Sequence, residues 1–171
     1  MKIISERAPY LRRKGNVSTM MLDVVIALLP IVVYSFLFYN LYALRNILIS
    51  IAVFEFCEFS FCLIKNRIPT DGEKHSLKEH LKHGIAAYKN NLLSNLLVPL
   101  VSALIYALIS PIDTSNGMLF YLVLISGAVF GSVVGKFMFG GTGNNIFNPA
   151  AVGMVFSKIC WGSYFVYPDP F

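Results

Sequence analysis

Apolar runs of bilayer-crossing length restrict this chain more than any motif in it. A segment in hydrocarbon must satisfy its own backbone N–H and C=O groups, so an apolar run of about 20 residues is a helix. Residues 20–39, 47–64, 92–109 and 118–139 read as four such runs. The composition agrees, with 56% hydrophobic and only 13% charged residues, against roughly a quarter charged in soluble domains. The expected fold is an all-α integral membrane protein of about four transmembrane helices, followed by a half or re-entrant helix at Ala150 to Cys160. The nineteen residues ahead of the first run are mostly polar or basic and the run itself spans, so the first span is expected to stay as an anchor.

Charge placement orients the spans. Lys2, Arg7, Arg12, Arg13 and Lys14 precede the first run, and Lys65, Arg67, Lys74, Lys78, Lys82 and Lys89 fill the only long polar connection. The positive-inside rule puts both on the cytoplasmic side. The expected organisation is a cytoplasmic tail (1–19), a first helical hairpin (20–64), a cytoplasmic basic loop (65–91), a second hairpin (92–139), and a Gly/Asn loop with the half helix (140–171). Pro30 is expected to kink the first span, Asn40 to Asn46 to form a short outer turn holding Arg45, and Ser110 to Gly117 to form an outer loop without cations. The net charge of +5 does not point to nucleic acid, because the basic residues lie between apolar segments with no groove-reading pattern.

Polar residues inside the runs are the candidate functional ones. Glu55 and Glu58 are three apart and share a helix face. A carboxylate in hydrocarbon costs roughly 2.5–3.5 kcal/mol on insertion scales and is a functional-site hypothesis by default, here an ion path; the alternative places Glu58, about two turns from Lys65, at the cytoplasmic interface. His75, His80 and His83 with Glu79 imitate a metal cluster but fit better as an amphipathic interfacial helix with Leu77, Leu81 and Ile85 on its apolar face, so no metal site is expected. Ser94, Asn95, Pro99 and Ser102 imply a bundle-facing side for the third span. Cys57, Cys62 and Cys160 form no C-x-x-C pair and lie in apolar stretches, which predicts buried, reduced, structural thiols.

Gly127, Gly131 and Gly135 repeat every four residues, a small-xxx-small stripe that lets another helix pack almost backbone to backbone. They lie within a span and not at a strand-to-helix turn, so they are not a phosphate loop. Lys136 is read as marking the return to the cytoplasmic side. Phe139-Gly140-Gly141-Thr142-Gly143-Asn144-Asn145-Ile146-Phe147-Asn148-Pro149-Ala150-Ala151 then replaces apolar helix with irregular polar backbone. Gly140, Gly141 and Gly143 permit positive φ, and Asn148-Pro149 has the form of an N-cap and first helical residue. Irregular backbone at a broken helix is where membrane proteins place cofactors and ions. An equally direct reading makes the loop a helix-to-helix turn whose glycines permit packing and whose asparagines cap it.

The segments Asn16-Val17-Ser18-Thr19-Met20-Met21-Leu22-Asp23-Val24-Val25-Ile26-Ala27-Leu28-Leu29-Pro30 and Val134-Gly135-Lys136, together with the loop from Phe139 through Val152-Gly153, resemble the RnfD family of membrane proteins from the Rnf electron-transport complexes. That family is related to the NqrB component of the sodium-translocating NADH:quinone oxidoreductase. The resemblance implies one half of a fold of about ten helices in two inverted repeats, shared with urea and ammonium transporters, and a chain expected to continue beyond Phe171. It further implies a flavoprotein subunit of an oxidoreductase or translocase complex in a bacterial or archaeal cytoplasmic membrane, not catalytic alone. Its partners would be other subunits of the complex, the lipid bilayer, and Na+ or H+. In the family FMN is attached to a threonine of an S-G-A-T-like motif; Ser126-Gly127-Ala128-Val129 lacks that threonine, so no residue here is assigned covalent FMN. A second, noncovalent flavin (FMN or riboflavin) lies near the asparagines of the loop in the quinone-reducing relatives. Asn145 and Asn148 match that N-x-x-N spacing and, with Gly140, Gly141 and Gly143, are the candidate cofactor contacts. The competing functions are a transporter or channel half without redox chemistry and an assembly scaffold without its own cofactor.

Overall fold

Asn40 sets the course of the first element. The structure, a computed structural model, describes residues 17–65, 77–111, 117–141 and 144–164. Helix α1 runs Val17–Lys65, with one non-helical residue inside it, Asn40 (φ 50°, ψ −131°). Positive φ is unfavourable for L residues, and Asn is among the few types enriched there. The expected outer turn is therefore one residue long. Helix resumes at once, and Ala43, Asn46 and Ile47 are already buried. Arg45 does not stand in an open turn: it is half-buried, with the Tyr42, Phe120 and Tyr121 ring centroids 5.1–5.5 Å from its guanidinium carbon. Pro30 lies within the helical first arm, and the one non-helical residue inside α1 is Asn40. A straight helix would hold Val32 about 22 Å from Ile47. Yet Val25, Leu28 and Val32 pack on the cluster formed by Ile47, Leu104 and Ala107, so the two arms double back on one another.

Among the described residues, three helices are long and apolar enough to cross a membrane: α1, α3 (Leu92–Ile109), and Met118–Phe139, which joins α4 (Met118–Gly135) to a 3₁₀ turn at Phe137–Phe139. Between them α2 spans Leu77–Asn90, and α5, Pro149–Cys160, is the shorter apolar helix. The described residues hold no strand. This is an all-α, multi-pass membrane protein.

Lipid tails are as apolar as leucine, so close packing and internal hydrogen bonds hold such helices together more than burial from water does. The second arm of α1 turns Ala43, Asn46, Ile47, Ser50, Phe54, Cys57 and Glu58 inward, the three-and-four spacing of one helix face. Pro99, Ala103, Tyr106 and Ala107 of α3 are buried as well, while Ser94, Asn95 and Ser102 are only half-buried. Asn46 Nδ2 donates to the Pro111 carbonyl at 3.1 Å, tying the ends of α1's second arm and α3. At the other end α2 lies on α1: Gly84 abuts Leu63, and the Phe59 and Tyr88 rings meet edge to face at 5.3 Å. Leu81 and Ile85 of α2 are exposed on this chain; His75 and the Leu77 side chain lie outside the described residues. The cysteines differ from expectation in one case. Cys57 is buried and Cys62 half-buried, but Cys160, at the end of the short helix, is exposed.

The glycine stripe is the seam between α4 and α5. A Cβ at Gly127 would collide with Ser157 Oγ and the Tyr106 hydroxyl, and one at Gly131 with the Pro149 carbonyl. One at Gly135 would lie 2.9 Å from Pro149 Cα, and one at Gly153 2.5 Å from the Gly127 oxygen. Each step of four along α4 is matched by four in the opposite sense along α5, so the two run antiparallel in one register. The Tyr106 hydroxyl closes the seam from α3, donating to the Leu124 carbonyl at 3.1 Å and lying 3.3 Å from Ser157 Oγ. Twelve residues make about 18 Å of helix, so α5 ends beside the middle of α4.

Candidate functional site

A lysine closing a span is ordinarily expected to reach for water. Lys136 does the reverse. It is 4% exposed, and its Nζ lies 2.6 Å from Glu58 Oε2. The pair joins the end of α4 to the second arm of α1, two positions 78 residues apart. Neither side chain stands in water: Lys136 and Glu58 are both buried within the bundle. Charges taken out of water are tolerated when paired and hydrogen-bonded, and each member here supplies what the other needs.

Glu55, on the same helix face, is half-buried, and its Oε2 is buried without a hydrogen-bonding partner. The Tyr88 hydroxyl of α2 lies beside the Glu55 carboxyl. Partial burial, then the charges of Glu55 and Glu58, push the Tyr88 phenol above its ordinary pKa, which keeps it protonated as a donor. The Cys57 thiol meets the Ser132 hydroxyl, one turn before Lys136. Three polar contacts, one from α2 and two from the end of α4, thus gather around the α1 face at residues 55–58.

The glycine-rich segment continues the same contact. Glu58, Phe61 and Lys65 are spaced i, i+3, i+7 along α1, and each meets a successive part of the segment. Glu58 takes Lys136; Phe61 stacks on Phe137 with centroids 4.3 Å apart and planes 3° from parallel; Lys65 Nζ donates to the Gly140 carbonyl at 3.1 Å. Gly140 and Gly141 have φ of 98° and 95°, the left-handed region that glycine enters freely. At Gly141 a Cβ would also come within 2.8 Å of the Phe61 ring. The Gly141 and Phe139 amides donate to the Lys136 carbonyl at 3.2 and 3.3 Å. Thr142 and Gly143 lie outside the described residues.

Asn145 and Asn148 are both exposed and both used locally. Asn148 Oδ1 accepts from the Ala150 amide at 2.9 Å as the N-cap of α5, with Pro149 at the first helical position. Asn145 Nδ2 donates to the Phe147 carbonyl at 3.3 Å. The cap uses the oxygen of one amide and the turn uses the nitrogen of the other, so a donor and an acceptor remain. Asn148 and Phe147 close one end of an apolar groove of about 470 Å³ along α4 and α5, walled by Phe130, Val134, Val155 and Phe156 among others. Its Phe130 and Phe156 rings stack at 4.0 Å. Asn145 does not line this groove.

A family model described as the NQR2, RnfD, RnfE family matches residues 4–169. The chain belongs to that family. It is accordingly a membrane subunit of an Rnf/Nqr-type, multi-subunit complex. The match takes in both arms of α1, the stripe, the loop and α5, so the buried pair and the loop lie within the matched residues.

Two participants escape a reading of the sequence of this NQR2, RnfD, RnfE member. Lys136 carries a usable signal, since Phe137-Met138-Phe139 extends the apolar run beyond it and places the lysine inside a span. Tyr88 carries none. Its role depends on how α2 lies across α1, which no local pattern records.

Proposed function

We propose that this subunit relays electrons through a noncovalent flavin held beside Asn145, Asn148 and the Gly140–Gly141 turn, and that Glu55 and Glu58 lie on the path of the Na+ or H+ whose movement the complex couples to electron transfer. The observation that supports both parts is the turn-by-turn contact of the glycine segment with the α1 face that carries the buried acids. A flavin site and an ion site at opposite ends of the bundle would have no such connection. The groove is within the roughly 300–1,000 Å³ of small-molecule sites, its walls are aromatic and aliphatic, and the Asn148 amide N–H left over from the cap suits an acceptor on the edge of an isoalloxazine ring. A bound flavin supplies one- and two-electron transfer; the chain's residues orient it, seat its ring against apolar walls and keep water from it. Basic residues on both sides of the first two arms support a cytoplasmic N-terminus in a bacterial or archaeal cell membrane.

Asn148→Asp separates the cap from the cofactor contact. Aspartate keeps the oxygen that caps α5 but has no amide N–H, whereas Asn148→Ala loses the cap as well, at about 1 kcal/mol. The expected result is that Asn148→Asp and Asn145→Ala complexes assemble yet release one equivalent less of noncovalent flavin on denaturation. A full flavin complement in both variants would confine the asparagines to packing.

A further inference from the structure

Lys136 touches both halves of the proposed machinery with different atoms. Its ammonium pairs with Glu58, while its carbonyl oxygen receives the amides of Phe139 and Gly141 and so holds the base of the glycine turn. The backbone at Lys136 has already left the helix (φ −129°, ψ −54°), so it is not locked into the α4 ladder on its C-terminal side. Around the ammonium the facing groups are Glu58, Glu55 on the same face, and the Cys57–Ser132 contact one turn away. Glu55 keeps a buried oxygen without a hydrogen-bonding partner.

We propose that Lys136 is the positioning residue that links the loop to the acids, and that its ammonium holds, in this state, the place that a transported monovalent cation takes at Glu58 and Glu55. This rests on the flavin and ion-path reading above. When the turn shifts, the Lys136 carbonyl moves with the Gly141 amide it receives and the ammonium is drawn off Glu58. One positive charge leaves the acids and one, Na+ or H+, enters, so the buried charge is conserved through the exchange. Return of the turn brings the ammonium back and expels the cation. The unpartnered oxygen of Glu55 is the second ligand atom that a cation would gain and that the ammonium does not use. Coupling therefore needs no long wire, because the residue that senses the turn is itself the counter-charge.

The test uses the intact complex reconstituted in liposomes with its native donor and acceptor, with radioactive sodium uptake and an internal pH dye followed together. Lys136→Met is expected to lower cations moved per electron at least about fivefold, the lower end of the 5–150-fold usual between coupled sites. A wild-type ratio in the assembled variant overturns the proposal. Should that variant not assemble, the charge-neutral Glu58→Gln/Lys136→Met pair is used with redox-difference infrared spectroscopy. The wild-type spectrum is expected to contain a carboxylate band that the double variant lacks, and identical spectra overturn the proposal. Glu55→Gln tells the two levels apart. If it lowers the ratio while Lys136→Met does not, only the role of Lys136 falls; if both keep the wild-type ratio, the ion-path reading falls with it.

Discussion

Gly131→Ala is expected to destabilise this protein, and Gly131→Leu to detach α5 from α4 altogether. The sign is the informative part. In an exposed helix interior, glycine to alanine gains up to about 1 kcal/mol from propensity. Here the added Cβ would collide with the Pro149 carbonyl and lie 3.0 Å from the Gly153 nitrogen. Both are backbone, so no flexible side chain can yield. Overpacking a filled interior costs roughly 1–3 kcal/mol when side chains can adjust, and a leucine against two backbones should exceed that range. The consequence extends beyond the seam, because Pro149 follows the cap residue Asn148 and the groove is walled by α4 and α5 together. Both variants should therefore lower the temperature at which the subunit leaves the complex and expose α5 to proteolysis. Val129→Leu, on the half-open outer face of the same helix, should do neither. A raised transition temperature for Gly131→Ala would show that the seam is not closed in the assembled protein.

What the sequence disclosed and what it withheld follow from the range of the interactions involved. The apolar runs, the stripe at residues 127, 131 and 135, and the cap at Asn148 are written within a few turns of chain, and the structure has helices, a seam and a cap there. Four-residue spacing states that a close neighbour exists without saying which. That the neighbour is the short helix and not another span is visible only in three dimensions. The sequence spreads the first turn over seven residues because Asn40, Arg45 and Asn46 are polar. The chain needs only Asn40 to reverse, and spends Arg45 and Asn46 on contacts to Tyr121 and Pro111. The burial of Lys136 is hidden for the same reason. Hydropathy assigns a charge to water unless its partner is known, and Glu58 lies 78 positions away.

The buried pair gives the second large effect. Removing one partner leaves the other charged and unpaired inside the bundle, which costs about 3–5 kcal/mol, whereas replacing both by neutral groups of similar size is often neutral or stabilising. Glu58→Gln strands the Lys136 ammonium beside Glu55 alone; Lys136→Met leaves two carboxylates on one face of α1 without the ammonium that offsets them. For a chain of this length such losses correspond to a transition lowered by roughly 10 °C or more. The double variant should recover most of it, because the stability lost in each single variant belongs to the orphaned charge and not to the missing bond.

That comparison is also the most direct check on the whole account, since the proposed ion site, the loop's anchor and the link between them all meet at this pair. The measurement is the thermal transition of the subunit in the solubilised complex for wild type, Glu58→Gln, Lys136→Met and the double variant. The expected result is two low transitions and a double variant within a few degrees of wild type. A double variant lowered by the sum of the two single effects would mean that Glu58 and Lys136 act independently, and would contradict it.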